Sequence, residues 1–342
     1  MAASTMATML EDPRHGRRTE RFTLQWHLTH SCDLACKHCY DRTLPSPLGL
    51  DDAKRILDGL VEFGARRGVV VRVGLTGGNP LLYPWFFELY AQVVARGVPA
   101  YLLGNPVATD LVERLVAIGK PESYQVSLEG LEAHNDDIRG PGSFRRVMEF
   151  LPVLRAHGIH AGVMLTLTSA NRDQVVPLGR LLRGKANGLT FNRLSRTGNG
   201  AALATPDKEA YGEFLVEYLA AAKQNPTLTY KDNLFNIFRH ELRLPLLRGC
   251  TGHGCGAAFD GFSLLPDGEA HACRKFPSPI GSVLRDGFDA VYDSVAADRY
   301  RRGSTACDGC AIRKWCGGCM AVTSGQGLDP FTDRDPHCFM FD

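Results

Sequence analysis

Nowhere in its 342 residues does the sequence offer an apolar run near the roughly 20 that a membrane-spanning helix needs, and the opening MAASTMATMLEDPRHGRRTE has no apolar stretch behind its charges. No membrane partner is therefore expected. The Arg17-Arg18 pair does not read as an export signal, because the adjoining segment, TERFTLQWHLTHSC, reads as a strand entering a loop. Charge of one sign is lacking too: 39 Lys and Arg against 37 Asp and Glu leave a net +2, which gives no reason to expect nucleic acid or an anionic surface as partner. Cysteine is missing from the roughly two hundred positions between Cys39 and Cys250, and the total of 11 is odd. In a chain this large, those counts favour cytoplasmic, metal-binding thiols over a disulfide framework.

What cysteine there is falls into two groups, three within HSCDLACKHCYDR (residues 30–42) and eight from Cys250 to Cys338. Three thiolates are one short of a protein-closed tetrahedron, so Cys32, Cys36 and Cys39 either borrow a ligand or leave a position open. A zinc half-site completed by His30 or His38 is one way to close it.

Between the two groups, short β-branched runs alternate with amphipathic segments of helical length, the pattern of a parallel βα array. Six strands are expected: RFTLQWHLT, VVVRVGLTG, PAYLLGN, SYQVSLEG, HAGVMLTLT and NGLTFNRLS. Six units are too few for a closed eight-stranded barrel, so the expected fold is α/β, a partial (β/α)6 TIM-like barrel whose working groups gather at the C-terminal strand ends. The expected organisation is a mobile segment over 1–20, a barrel core over 21–205, a helical connection over 206–245, and a cysteine-rich part of turns and short hairpins over 246–342.

The spacing Cys32-x3-Cys36-x2-Cys39 followed by Tyr40 resembles the cluster loop of the radical S-adenosylmethionine enzymes. That resemblance implies a [4Fe-4S] cluster held by three thiolates, with S-adenosylmethionine chelating the fourth iron and yielding a 5'-deoxyadenosyl radical on reduction. LTGGNPLL resembles the family's Gly-Gly-Glu-Pro turn, which implies that Gly77, Gly78 and Asn79 meet the methionyl amino group, with Asn79 replacing the usual Glu. Ser127 and Glu129 stand where relatives bind the cofactor's carboxylate and ribose, although a Glu at a loop mouth is often simply solvated. Arg139 and Arg193 are two candidates for the carboxylate, each with pairing to a local acid as its alternative.

The later cysteines, Cys250-x4-Cys255-x17-Cys273 and Cys307-x2-Cys310-x5-Cys316-x2-Cys319-x18-Cys338, resemble the SPASM extension, with two residues between Cys316 and Cys319 where three is usual. The family pattern implies two auxiliary [4Fe-4S] clusters, the nearer on Cys250, Cys255, Cys273 and Cys319, the farther on Cys307, Cys310, Cys316 and Cys338. Read alone, CDGC and CGGC are also ordinary zinc knuckles.

GNPVATDLVERL, YQVSLEGLEAHNDDIRGPGSF and VMLTLTSANRDQ resemble maturases of selenobiotic-type and other cysteine-rich ribosomal peptides. A precursor peptide substrate, thioether formation and a flavodoxin or ferredoxin reductant are implied. Peptide carbon-carbon crosslinking, epimerisation and tetrapyrrole side-chain chemistry are the alternatives. Sulfatase-type maturation is disfavoured, since Arg274 stands where those enzymes place an acid. Some twenty residues before the first strand are too few for a fused winged-helix domain, so leader recognition is expected from the barrel surface or a separate protein.

Overall fold

The computed structural model describes residues 9–12, 15–40, 47–247, 250 and 254–340. After two short strands, β1 (Leu10–Asp12) and β2 (Arg17–Thr19), the chain lays down six parallel strands: β3 (Arg21–Thr29), β4 (Val70–Gly77), β5 (Ala100–Leu103), β6 (Ser123–Ser127), β7 (His160–Leu167) and β8 (Gly188–Arg193). They pair in sequence order, as a right-handed βα array requires. The crossovers are α1 (Leu50–Arg67), α2 (Phe86–Ala95), α3 (Thr109–Ile118), α4 (Glu132–Arg139) with α5 (Ser143–Ala156), and α6 (Val175–Leu182). The expected partial barrel is thus present.

Alternation along the strands decides which side chains meet the helices and which meet the lumen. In β3, Phe22, Leu24, Trp26 and Leu28 are buried in the hydrophobic core, while Thr23 and Gln25 face a central cavity. In β6, Tyr124 packs edge-on against Phe150 of α5, while Gln125 and Ser127 look inward. The lumen is consequently polar, unlike a closed barrel packed with branched aliphatics.

After α7 (Lys208–Ala222) and α8 (Phe235–Glu241), β9 (Gly261–Leu264) pairs parallel with β3, and β10 (Glu269–His271) and β11 (Pro279–Ser282) continue the sheet antiparallel. The cysteine-rich part therefore extends the barrel sheet to nine strands. It also holds three helices that its expected turns and hairpins did not include: α9 (Val283–Tyr292), α10 (Val295–Arg302) and α11 (Met320–Gly325). Gly287, at φ 78°, kinks α9, and α10 buries only Ala297; neither presents a long apolar stripe. Arg66 and Arg67 at the end of α1 bind Asp289 of α9, fastening the two parts.

Within the segment 1–20, expected to be mobile, residues 9–12 and 15–20 are described. β1 and β2 form an antiparallel hairpin, and buried Arg17 donates to Asp12, to the Cys255 carbonyl at 2.8 Å and to the Arg301 carbonyl at 3.0 Å. Residues 1–8, 13 and 14 lie outside the described residues. Among the described residues no helix is long and apolar enough to cross a membrane.

Candidate active site

Cys32, Cys36 and Cys39 lie in the loop leaving β3 and line a cavity of about 660 Å³ at the carboxyl ends of the strands. The loop is fixed by backbone bonds from neighbouring strand ends: Gly78 N–H to Thr29 O and Asn79 N–H to Ser31 O, both 2.8 Å, and Asn199 N–H to Cys39 O, 2.9 Å. A Cβ at Gly77 would stand 2.2 Å from Thr29 O, and one at Gly78 2.1 Å from Ser31 O. The glycine pair is thus required first by the root of the cysteine loop packing on this turn, before any ligand is considered.

Of the residues singled out in the sequence, Tyr40, Gly77, Gly78, Ser127, Arg139 and Arg193 line this cavity together with the three cysteines. Asn79 and Glu129 stand behind its wall. Asn79 is 3% exposed; its Nδ2 donates to Asp33 Oδ1 at 3.1 Å, and its Oδ1 is buried without a partner. Glu129 is not solvated but 2% exposed, accepting from Arg139 at 3.3 Å and Thr166 N–H at 2.8 Å, with His38 Nε2 at 3.3 Å. Burial alone would raise its carboxyl, but His38, Arg139 and the Thr166 amide outweigh that and hold it at about 2. Both oxygens have protein partners, and the pairing with Arg139 orients that guanidinium.

Arg139 ends α4. Its Nη2 donates to Asn105 Oδ1 at 3.0 Å, and its Nε is buried without a partner. Arg193, by contrast, is committed elsewhere. It binds Asp335 through both carboxylate oxygens at 2.6 and 2.7 Å and Asp232 at 2.8 Å, the pairing with local acids that was the alternative to a cofactor carboxylate.

Sequence reasoning missed Asp33 and Asn105. Asn105 donates to Asp33 at 2.7 Å and to Cys32 Sγ at 3.4 Å, linking the cysteine loop to Arg139. A signal was present: the Gly-Asn-Pro after β5 (Gly104 to Pro106) repeats the one after β4 (Gly78 to Pro80).

The remaining cysteines divide in space. Cys250, Cys255, Cys273 and Cys319 line a second cavity of about 470 Å³. Cys307, Cys310, Cys316 and Cys338 surround a third of about 20 Å³. Leu103, Gln125, Asn192, Arg274 and Lys275 line both of the larger cavities. All eleven cysteines are free, and burial pushes the thiol of Cys36 up to about 11 and that of Cys255 up to about 12. A single-ion tetrahedron needs donors within about 2.3 Å of one point; among the described residues no three His, Cys, Asp or Glu side chains form such a group.

The Radical SAM superfamily model matches residues 26–182. The mycofactocin maturase MftC of Mycobacterium tuberculosis is 32% identical over 342 residues, covering 92% of this chain and 82% of that protein. The AdoMet-dependent heme synthase of Methanosarcina barkeri is 25% identical over 346 residues, 92% of this chain and 95% of that one. Among solved structures, Streptococcus suis SuiB bound to precursor peptide SuiA superimposes with a TM-score of 0.73 at 18% identity, covering 96% of this chain and 78% of SuiB. A three-cysteine loop at the mouth of a six-stranded partial barrel and these likenesses agree: the chain belongs to the radical SAM superfamily, among its SPASM-type maturases.

Proposed function

We propose that this chain reductively cleaves S-adenosylmethionine, takes a hydrogen atom from a residue of a ribosomally made precursor peptide, and joins the carbon so exposed to a cysteine sulfur as a thioether. One observation carries the reading: the strand-end cavity is walled by three thiols together with Arg139, whose buried Nε–H has no protein partner. In this reading Cys32, Cys36 and Cys39 hold three irons of a [4Fe-4S] cluster, and Arg139 receives the carboxylate of the S-adenosylmethionine on the fourth. Gly77, Gly78, Ser127 and Tyr40 form the surrounding wall. Bound there, cluster and cofactor supply a 5'-deoxyadenosyl radical when a flavodoxin or ferredoxin provides an electron.

The two tetrads of the C-terminal part hold two auxiliary clusters in this reading, for three in all. Each tetrad supplies four thiolates to its own cluster, so neither cluster keeps an open iron for substrate sulfur, and the role that remains is to accept the electron released when a thiolate bonds to the carbon radical. Protons raised on the buried thiols must leave as metal binds. The chain's organisation is then a barrel core over 21–205, a connection over 206–245 and an auxiliary-cluster region over 246–342. It works in the cytoplasm.

The likeness to a mycofactocin maturase over most of both chains supports a peptide substrate, and so does a fold shared with SuiB, whose structure holds a precursor peptide. The likeness to a heme synthase favours a second reading, tetrapyrrole side-chain modification. The test is anaerobic turnover with a short cysteine-containing peptide encoded beside this chain. A peptide that loses two hydrogens and one alkylatable thiol supports the thioether; turnover of a tetrapyrrole with the peptide untouched supports the second reading and overturns the first.

A further inference from the structure

The two auxiliary tetrads sit in unlike charge environments. The nearer cavity is lined by Lys231, Arg274 and Lys275, and none of the three is ion-paired with a carboxylate among the described residues. Arg72, also on that wall, is spent on Glu122, and Asp260 is the one acid in the lining. In the lining of the farther tetrad's cavity the charged residues are Asp335 and Arg313, matched by Arg193 and Asp308, and the cations of a small cavity that Cys307 and Cys316 also line, Arg17, Arg301 and Arg302, are paired with Asp12 and Asp298. The nearer tetrad thus faces a surplus of positive charge and the farther one does not. Lys275 lies two residues beyond Cys273, lines both larger cavities, and donates from Nζ to Cys319 Sγ at 3.6 Å.

Hydrogen bonds to ligand sulfur and nearby net charge are among the factors that set an iron–sulfur cluster's potential. A cation donating to a ligand sulfur stabilises the added electron. We propose that Lys275 is a positioning residue that raises the potential of the nearer auxiliary cluster above that of the farther one, so that the nearer cluster receives the electron from substrate. This rests on the cluster assignment above and goes beyond it by ordering the two potentials.

The test needs no substrate. Wild type, Lys275→Met, Lys275→Gln and Lys275→Arg are reconstituted anaerobically, their iron is counted, and each is titrated by potentiometric EPR. Signals are assigned with Cys307→Ala/Cys310→Ala, which removes the farther cluster. In Lys275→Met the nearer cluster should become harder to reduce by at least tenfold in its reduction equilibrium, ~59 mV for one electron. Lys275→Arg should restore most of that shift and Lys275→Gln should fall between, with the other two clusters unmoved. An unchanged midpoint in Lys275→Met overturns the proposal, as does loss of the cluster in every variant including Lys275→Arg, which would make the lysine a packing residue. Wild type that binds only about four irons overturns the cluster assignment itself, a distinct failure read before any potential is measured.

Discussion

Replacing Arg193 by Met separates two roles that the sequence alone leaves open, cofactor contact and structural tie. The guanidinium is 2% exposed and joins the end of β8 to Asp335 at 2.6 and 2.7 Å and to Asp232 at 2.8 Å. Without it Asp335 keeps the amides of Cys319 and His337, at 2.8 and 3.0 Å, and the His337 imidazole at 3.7 Å. Stranding one partner of a buried ion pair costs about 3–5 kcal/mol, a large part of the roughly 5–15 kcal/mol that holds a typical domain folded. Burial alone would raise the Asp335 carboxyl, and Arg193 is what holds it low. Adding Asp335→Asn to Arg193→Met should therefore recover part of the loss. The assay is the urea midpoint of each apoprotein beside S-adenosylmethionine affinity of the reconstituted forms. A wild-type midpoint together with weakened cofactor binding would refute this reasoning and return Arg193 to the cofactor.

For Arg139→Lys, which cannot reproduce the buried, unpartnered Nε–H, one charge-assisted bond of about 1.5–3 kcal/mol should vanish, weakening S-adenosylmethionine binding by roughly 10- to 100-fold in equilibrium dialysis with iron content unchanged. Gly78→Ala places a Cβ 2.1 Å from Ser31 O and should displace the cysteine loop; metal analysis is expected to show about four fewer irons with the auxiliary clusters kept. Glu129 sits at about 2 against an ordinary 4.5, so its pairing stabilises the fold above about pH 4.5, and that contribution, on the order of 3 kcal/mol, is lost as pH falls toward 2. Apoprotein carrying Glu129→Gln should show a flatter loss of stability across that interval; an unchanged slope would mean the carboxylate is not so held.

Periodicity exposed the six strands because each carries apolar residues on the helix side, as Phe22, Leu24 and Trp26 do in β3. α4 carries no apolar stripe for periodicity to expose: EAHNDDIR is held by polar bonds, such as those the Gly142 and Phe144 amides donate to Asp136. The β1–β2 hairpin likewise rests on the buried Arg17–Asp12 pair, with Leu10 as its one residue in the hydrophobic core. Sequence spacing placed the candidate ligand-binding residues after the correct strands, and six of the eight line the cavity while Asn79 and Glu129 stand behind its wall. Asn79 and Glu129 turn out to brace Asp33 and Arg139, contacts made across 46 and 10 positions. Pairing of β9 with β3 spans most of the chain, and no local pattern announces it.

The central claim is that the vacancy in the first cysteine trio is a cofactor seat. Anaerobically reconstituted protein, reduced with dithionite in the presence of S-adenosylmethionine, should release 5'-deoxyadenosine and carry about twelve irons per chain, while Cys36→Ala should release none and keep about eight. Normal deoxyadenosine output from Cys36→Ala, or zinc in place of iron in the wild type, would contradict the account.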